Sequence, residues 1–192
     1  STPCISSAAS DVYKRQRYDG VRDFLASRGI TLPEGDPSDG PGAQTICGLG
    51  NRKNDLFNTM LVRDGIQPYP GSRRWVDMLH KHGVAMAVVS SSRNAAAVLE
   101  AAGMAEDFTV LVDGNLSKVE GLPGKPAPDT YLRGAELLGV PAGQCVVVED
   151  AVSGVRAGVV GGFGMVLGVN RGIGADRLRE AGADRVVDDL DE

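Results

Sequence analysis

Apolar residues follow two different patterns along this chain. Before residue 70 they recur at helical spacing. Residues 19–28 (DGVRDFLASR) predict a short helix closed by Gly29. In NRKNDLFNTMLVRDG, Leu56, Phe57, Met60 and Leu61 form a second helical stripe, ended by Gly65. Residues 33–44, rich in Pro, Gly and Asp, predict a loop between these helices, and Pro68 and Pro70 then break the chain. Beyond Pro70 the texture changes. Trp75, Met78, Leu79 and His82 share one helix face, and Gly83 stops that helix. VAMAVV (84–89) is a continuous apolar run, the pattern of a strand buried on both faces. Helices are then expected near 93–102, 128–138 (with Tyr131, Ala135 and Leu138 on one face), 152–159 and 174–181. Strands are expected at Thr109–Val112, 145–148, 164–169 and 185–187.

Alternating buried strands and helices predict an α/β fold, a doubly wound and mostly parallel sheet. Only helices and loops precede it, so residues 17–68 read as a partial helical cap and 69–192 as the sheet domain, with the boundary near 66–70. Residues 1–16 (STPCISSAASDVYKRQ) have no apolar period. They resemble translated sequencing-adapter sequence, so the expectation is a non-native leader with the domain entered near Arg17.

Composition narrows the classes. With 20 Lys+Arg against 25 Asp+Glu the net charge is −5, and no long basic run appears, which argues against a nucleic-acid partner. No stretch approaches the roughly 18 apolar residues of a membrane span, and no signal-peptide pattern is present. The 3 cysteines are odd in number and far apart. That spacing fits a reducing, cytoplasmic setting better than a disulfide framework, and offers no zinc site. Aromatics are only 5%, so Val, Leu and Ala must build the core.

In such sheets ligands bind beyond the carboxyl ends of the strands. Three polar loops follow apolar runs here. Ser90-Ser91-Ser92-Arg93-Asn94 offers hydroxyls and amides that could cradle phosphate at a helix start, or serve only as helix caps. Gly124-Lys125-Pro126-Ala127-Pro128-Asp129 holds a lysine between stiffening prolines, suited to a phosphoryl oxygen or to a plain surface turn. Glu149-Asp150 places two adjacent acids at a strand end. They suit Mg²⁺, which takes oxygen ligands and keeps several waters; the alternative is a cap at Asp150 and a solvated Glu149. The helix and strand between Lys125 and Asp150 should return both to the same sheet edge.

These residues, in this order, resemble the haloacid dehalogenase superfamily of phosphohydrolases and phosphomutases. SSSRN, GKPAPD and VVVEDAVSGVRAG are most like its β-phosphoglucomutase-like members, and NRKND resembles their cap. The resemblance implies that Ser90 holds the transferring phosphoryl group, with Ser91, Ser92 and Asn94 beside it. It implies that Lys125 bridges phosphoryl and nucleophile, and that Asp150 with Glu149 binds Mg²⁺. Arg52, Lys53 and Arg17 would contact a small phosphorylated substrate, a sugar phosphate; a solvated helical turn is the other reading of Arg52 and Lys53. The chain departs from the family in one respect. The first motif is an apolar strand ending in D-x-D, and nothing before Ser90 matches it. The one D-x-D, Asp189-Leu190-Asp191, lies at the far C-terminal side and reads as a polar end. The sheet domain is thus expected to lack its first strand, and the chain as it stands to be inactive. A non-catalytic phosphate-ligand binding module is the alternative. A receiver domain fits less well, because Lys125 precedes the acidic pair. Hydrolysis and mutase chemistry stay open.

Overall fold

The computed structural model of the chain describes residues 18–192, so Arg17 and the leader segment lie outside the described residues. Two compact units divide at Gly65/Ile66.

The first unit is helical. Helix α1 covers 18–26, and Gly29 beyond it has φ 69°, a left-handed value open to glycine. A loop leads to α2 (Ile46–Asp64), which begins upstream of the NRKND start suggested by the pattern. The earlier start is fixed by Thr45, whose hydroxyl caps the Gly48 amide at 2.9 Å. The small core holds Tyr18, Ile46 and Cys47, with Val21, Leu25 and Leu32 against it. Of the predicted stripe, only Leu61 is buried; Leu56, Phe57 and Met60 are exposed.

The second unit is the α/β domain. Its elements are α3 (Pro70–Lys81), β1 (Ala87–Val89), α4 (Ala95–Ala101), β2 (Val110–Val112), α5 (Gly114–Glu120), α6 (Asp129–Leu138), β3 (Val146–Glu149), α7 (Val152–Val160), β4 (Met165–Val169), α8 (Ala175–Glu180) and β5 (Arg185–Val187). Short 3₁₀ turns occupy Ala105–Asp107 and Ala142–Gln144. All strand pairs are parallel. β1 pairs with β2, while β3, β4 and β5 form a separate set in that order. Helix α6 touches both sets. Gly134 approaches Val89, Ala87 and Val112, and Tyr131 packs with Val147. Helix α6 packs on β1 and β2, α7 on β3 and β4, and α8 on β4 and β5, in keeping with a doubly wound arrangement.

Two strand expectations need correcting. Within VAMAVV only Ala87–Val89 is strand, and none of it is fully buried. In CVVV the strand is shifted to Val146–Glu149; Val147 is buried while Val146 is 53% exposed. Both runs have the composition of strands flanked on two sides, yet each has a partner on one side only. Helix α5 was not predicted, because GNLSKVE has no apolar period. It is specified by Asp113, whose carboxylate accepts from the Asn115 and Leu116 amides at 2.9 and 2.8 Å.

Candidate active site

Connections leave β1 and β3 in opposite directions, so the switch point of the sheet lies between them, and ligands in this architecture bind at its carboxyl end. The loops after both strands carry candidate residues.

After β1, the Ser90 amide continues the ladder by donating to the Val112 carbonyl at 2.9 Å. The Ser90 hydroxyl accepts the Ser92 amide, and the Ser92 hydroxyl accepts the Asn94 amide, both at 3.1 Å. Arg93 donates to Asn115 Oδ1 at 2.9 Å, and Asn115 Nδ2 donates to Asp113 at 2.8 Å. The serine loop is thereby fixed to the start of α5. Ser91 and Ser92 are exposed, and Ser90 is half-buried.

After β3, Glu149 turns inward instead of into solvent. Its Oε1 takes the Lys125 ammonium and the Tyr131 hydroxyl, the latter at 3.0 Å. Its Oε2 takes the Asp150 and Ala151 amides at 2.7 and 2.9 Å. Lys125 Nζ also lies 4.6 Å from the Tyr131 ring centroid, and the Lys125–Pro126 bond is cis. Burial pushes the Glu149 pKa up, but the Lys125 charge and hydrogen bond, the Ala151 amide and the Tyr131 hydroxyl outweigh it. The carboxyl is held below its ordinary range. Asp150 behaves oppositely, because partial desolvation and the adjacent Glu149 charge raise it. Burial and the Glu149 charge push the Tyr131 phenol far upward, so it stays a donor. Gly154 makes this packing possible, since a Cβ there would lie 2.0 Å from Glu149 Oε1.

Lys125, Glu149, Asp150 and the end of β1 border one cavity of about 720 Å³. Arg52 and Lys53 lie exposed on α2 in the other unit. Among the described residues, no group of three His, Cys, Asp or Glu side chains could hold a metal. Of the predicted acidic pair, Glu149 has both oxygens taken by protein donors, which leaves Asp150 as the carboxylate for a cation. That suits Mg²⁺, for which one or two carboxylates suffice, better than a metal needing a full protein cage. Tyr131 and Gly154 are the residues that pattern reading missed. Tyr131 was legible only as a hydroxyl on an otherwise apolar helix face. The D-x-D at 189–191 is engaged by arginines of this unit, and Arg171 and Leu190 line the same cavity. Asp189 takes Arg171 at 2.7 Å and the Leu190 amide at 2.8 Å, and Asp191 pairs with Arg74.

A parallel, doubly wound domain with Ser, Lys and paired acids at the switch point defines a class, and the chain belongs to it: residues 5–162 match the haloacid dehalogenase-like hydrolase family. Within that superfamily it falls in the β-phosphoglucomutase-like branch. It is 48% identical over 181 residues to a β-phosphoglucomutase of Mycobacterium bovis, covering 93% of this chain and 69% of that protein. It is 35% identical over 131 residues to hexitol phosphatase A of Escherichia coli, covering 67% and 57% respectively. The fold is similar to a crystal structure of β-phosphoglucomutase from Clostridium difficile, with TM-score 0.71 and 20% identity over 93% of this chain and 74% of that one. Among the described residues no helix is long and apolar enough to cross a membrane.

Proposed function

We propose that this domain carries the phosphoryl-holding half of a Mg²⁺-dependent phosphotransferase site acting on a small sugar phosphate. The observation that carries the reading is the Lys125–Glu149–Tyr131 cluster at the switch point, with Asp150 at its edge. Glu149 and Tyr131 hold the Lys125 ammonium in one place. A fixed cation there lowers the repulsion between a phosphoryl group and an anionic nucleophile without reorganising during the reaction. The Ser90 hydroxyl, at the end of β1, would donate to a phosphoryl oxygen, with Ser91, Ser92 and Asn94 completing that loop. Asp150 would hold Mg²⁺, which when bound neutralises phosphoryl charge. Glu149 has both oxygens engaged by protein donors and so orients Lys125 and the turn. For Arg52, Lys53 and Arg17 a substrate-contact role is supported by the family resemblance alone.

No D-x-D motif stands before Ser90 in these 192 residues, so the chain alone is expected to give no turnover. The test fuses a family-like segment, an apolar strand ending in D-x-D, ahead of residue 17. Mg²⁺-dependent phosphate release is then measured on a sugar-phosphate panel, with β-glucose 1-phosphate conversion followed in parallel. Activity that is lost in Asp150→Ala and Lys125→Ala variants is expected, and the product distinguishes phosphatase from mutase. A folded fusion that binds a phosphate ester but turns over nothing would replace this reading with a non-catalytic binding module.

A further inference from the structure

Glu149 Oε1 has two donors of unequal kind. One is the Lys125 ammonium; the other is the Tyr131 hydroxyl, at 3.0 Å. The phenol contributes two separable things. Its ring lies beside Lys125, with Nζ 4.6 Å from the centroid. That ring is itself fixed, because it is buried, meets Phe163 edge-on at 5.9 Å and belongs to the core around Val147. A phenylalanine would supply all of this. The hydroxyl stands on an otherwise apolar face of α6, with Gly134 and Ala135. What it adds is a second donor on the oxygen that holds the lysine. The other oxygen cannot take the lysine over, since the Asp150 and Ala151 amides occupy it at 2.7 and 2.9 Å. The acceptor capacity of the carboxylate, about four positions, is full.

We infer that the Tyr131 hydroxyl is a positioning group that loosens the grip of Glu149 on Lys125, so that the ammonium can serve an incoming phosphoryl oxygen. Two donors on one carboxylate oxygen compete, because each neutralises charge that the other would use. The pair is also enclosed: the Lys125 and Glu149 side chains are 19% and 9% exposed. An undivided ion pair in such surroundings is strong, and would leave the lysine little charge for a second anion. When the ammonium turns to a phosphoryl group, the hydroxyl stays, and the enclosed carboxylate keeps a donor on that oxygen. Tyr131 acts through Glu149 and touches no reacting atom. The inference rests on the phosphoryl reading above for the identity of the incoming anion, and on the geometry alone for the hold on Lys125.

Tyr131→Phe removes the hydroxyl and keeps the ring, its Phe163 contact and the core. The full chain, with isotope-labelled lysine, is studied by nitrogen relaxation of the Lys125 ammonium, whose order parameter reports how firmly Nζ is held. It should rise in Tyr131→Phe and fall in Glu149→Gln. With glutamine at 149, adding Tyr131→Phe should change nothing, because the hydroxyl acts only through that carboxylate. Inorganic phosphate is then titrated in the presence of Mg²⁺. Its Kd should be weaker by about threefold to tenfold in Tyr131→Phe, the share of one hydrogen bond. A hydroxyl that merely props the pair predicts the reverse, a looser Lys125 once it is gone. An order parameter unchanged or lowered in Tyr131→Phe therefore overturns the inference, as does a raised one with phosphate affinity unaltered. The Tyr131→Phe comparison decides alone if Glu149→Gln does not fold. A raised order parameter with no phosphate bound by any of these proteins would support the hold inferred for Lys125 and count against the proposed function.

Discussion

The two strand sets of the α/β unit differ in how completely they are covered. Around β3, β4 and β5, helices α7 and α8 bring Val155, Ala157 and Leu178 to zero exposure. Around β1 and β2 only Val112 reaches that state, and β1 itself is partly buried throughout. Yet the serine loop hangs on the less buried pair, while Lys125, Glu149 and Asp150 gather at the better packed set. Positioning of the site is therefore uneven. The acidic side is held by a core, and the serine side by its hydrogen bonds to Asn115 and Gly114 and by α6.

Substitutions can sharpen that contrast. Leu178→Ala should lower the unfolding free energy by about 2–5 kcal/mol in urea titrations, since it empties a fully enclosed position. Lys125→Met should cost about 2 kcal/mol. It strands Glu149 in a site where that side chain is 9% exposed, with the cost discounted because Lys125 keeps some solvent contact. Val89→Ala, on the less covered set, should cost about 1 kcal/mol, the burial of a methyl or two. An outcome in which Val89→Ala costs as much as Leu178→Ala would show that the two strand sets are equally well packed. The smallest effect belongs to Thr130. Its hydroxyl is buried without a hydrogen-bond partner, so Thr130→Val should leave the urea midpoint unchanged or raise it slightly.

A pH series tests the acidic side independently. Glu149 is depressed below its ordinary value of 4.5. Its contribution to stability is therefore complete above about that pH and is lost as pH falls through the lower folded value. Glu149→Gln should flatten this acid limb, measured by thermal unfolding across the range. Asp150, raised by burial and by Glu149, acts in the opposite sense, and Asp150→Asn should steepen the limb.

Much of the architecture is legible in the sequence because helices and strands differ in period. The order of elements after Pro70, the closing glycines at 29 and 65, and the return of Lys125 and Asp150 to one sheet edge all follow from spacing and crossover geometry. Burial was less legible. VAMAVV and CVVV are as apolar as strands flanked on both sides, but apolarity reports what a segment can bury, not whether a neighbour is there. The same limit applies to Leu56, Phe57 and Met60, a clear stripe that stays exposed on α2. Within the site, Glu149 read equally as a ligand or a solvated acid. Only the arrangement of Tyr131, Gly154 and two backbone amides around it decides that it turns inward, and none of these carries an acid or a base that a pattern would flag.

Gly134 has one further consequence. Its missing side chain lets α6 sit against Ala87, Val89 and Val112, where an added Cβ would come within 3.1 Å of Val89. One turn earlier, Tyr131 of the same helix rests on Val147 and reaches Glu149. The helix thus works as a gauge block between two plates: a bare backbone bears on one plate and a large ring on the other. The width it sets, not the chemistry of either plate, determines how far the serine loop stands from the lysine and its carboxylate.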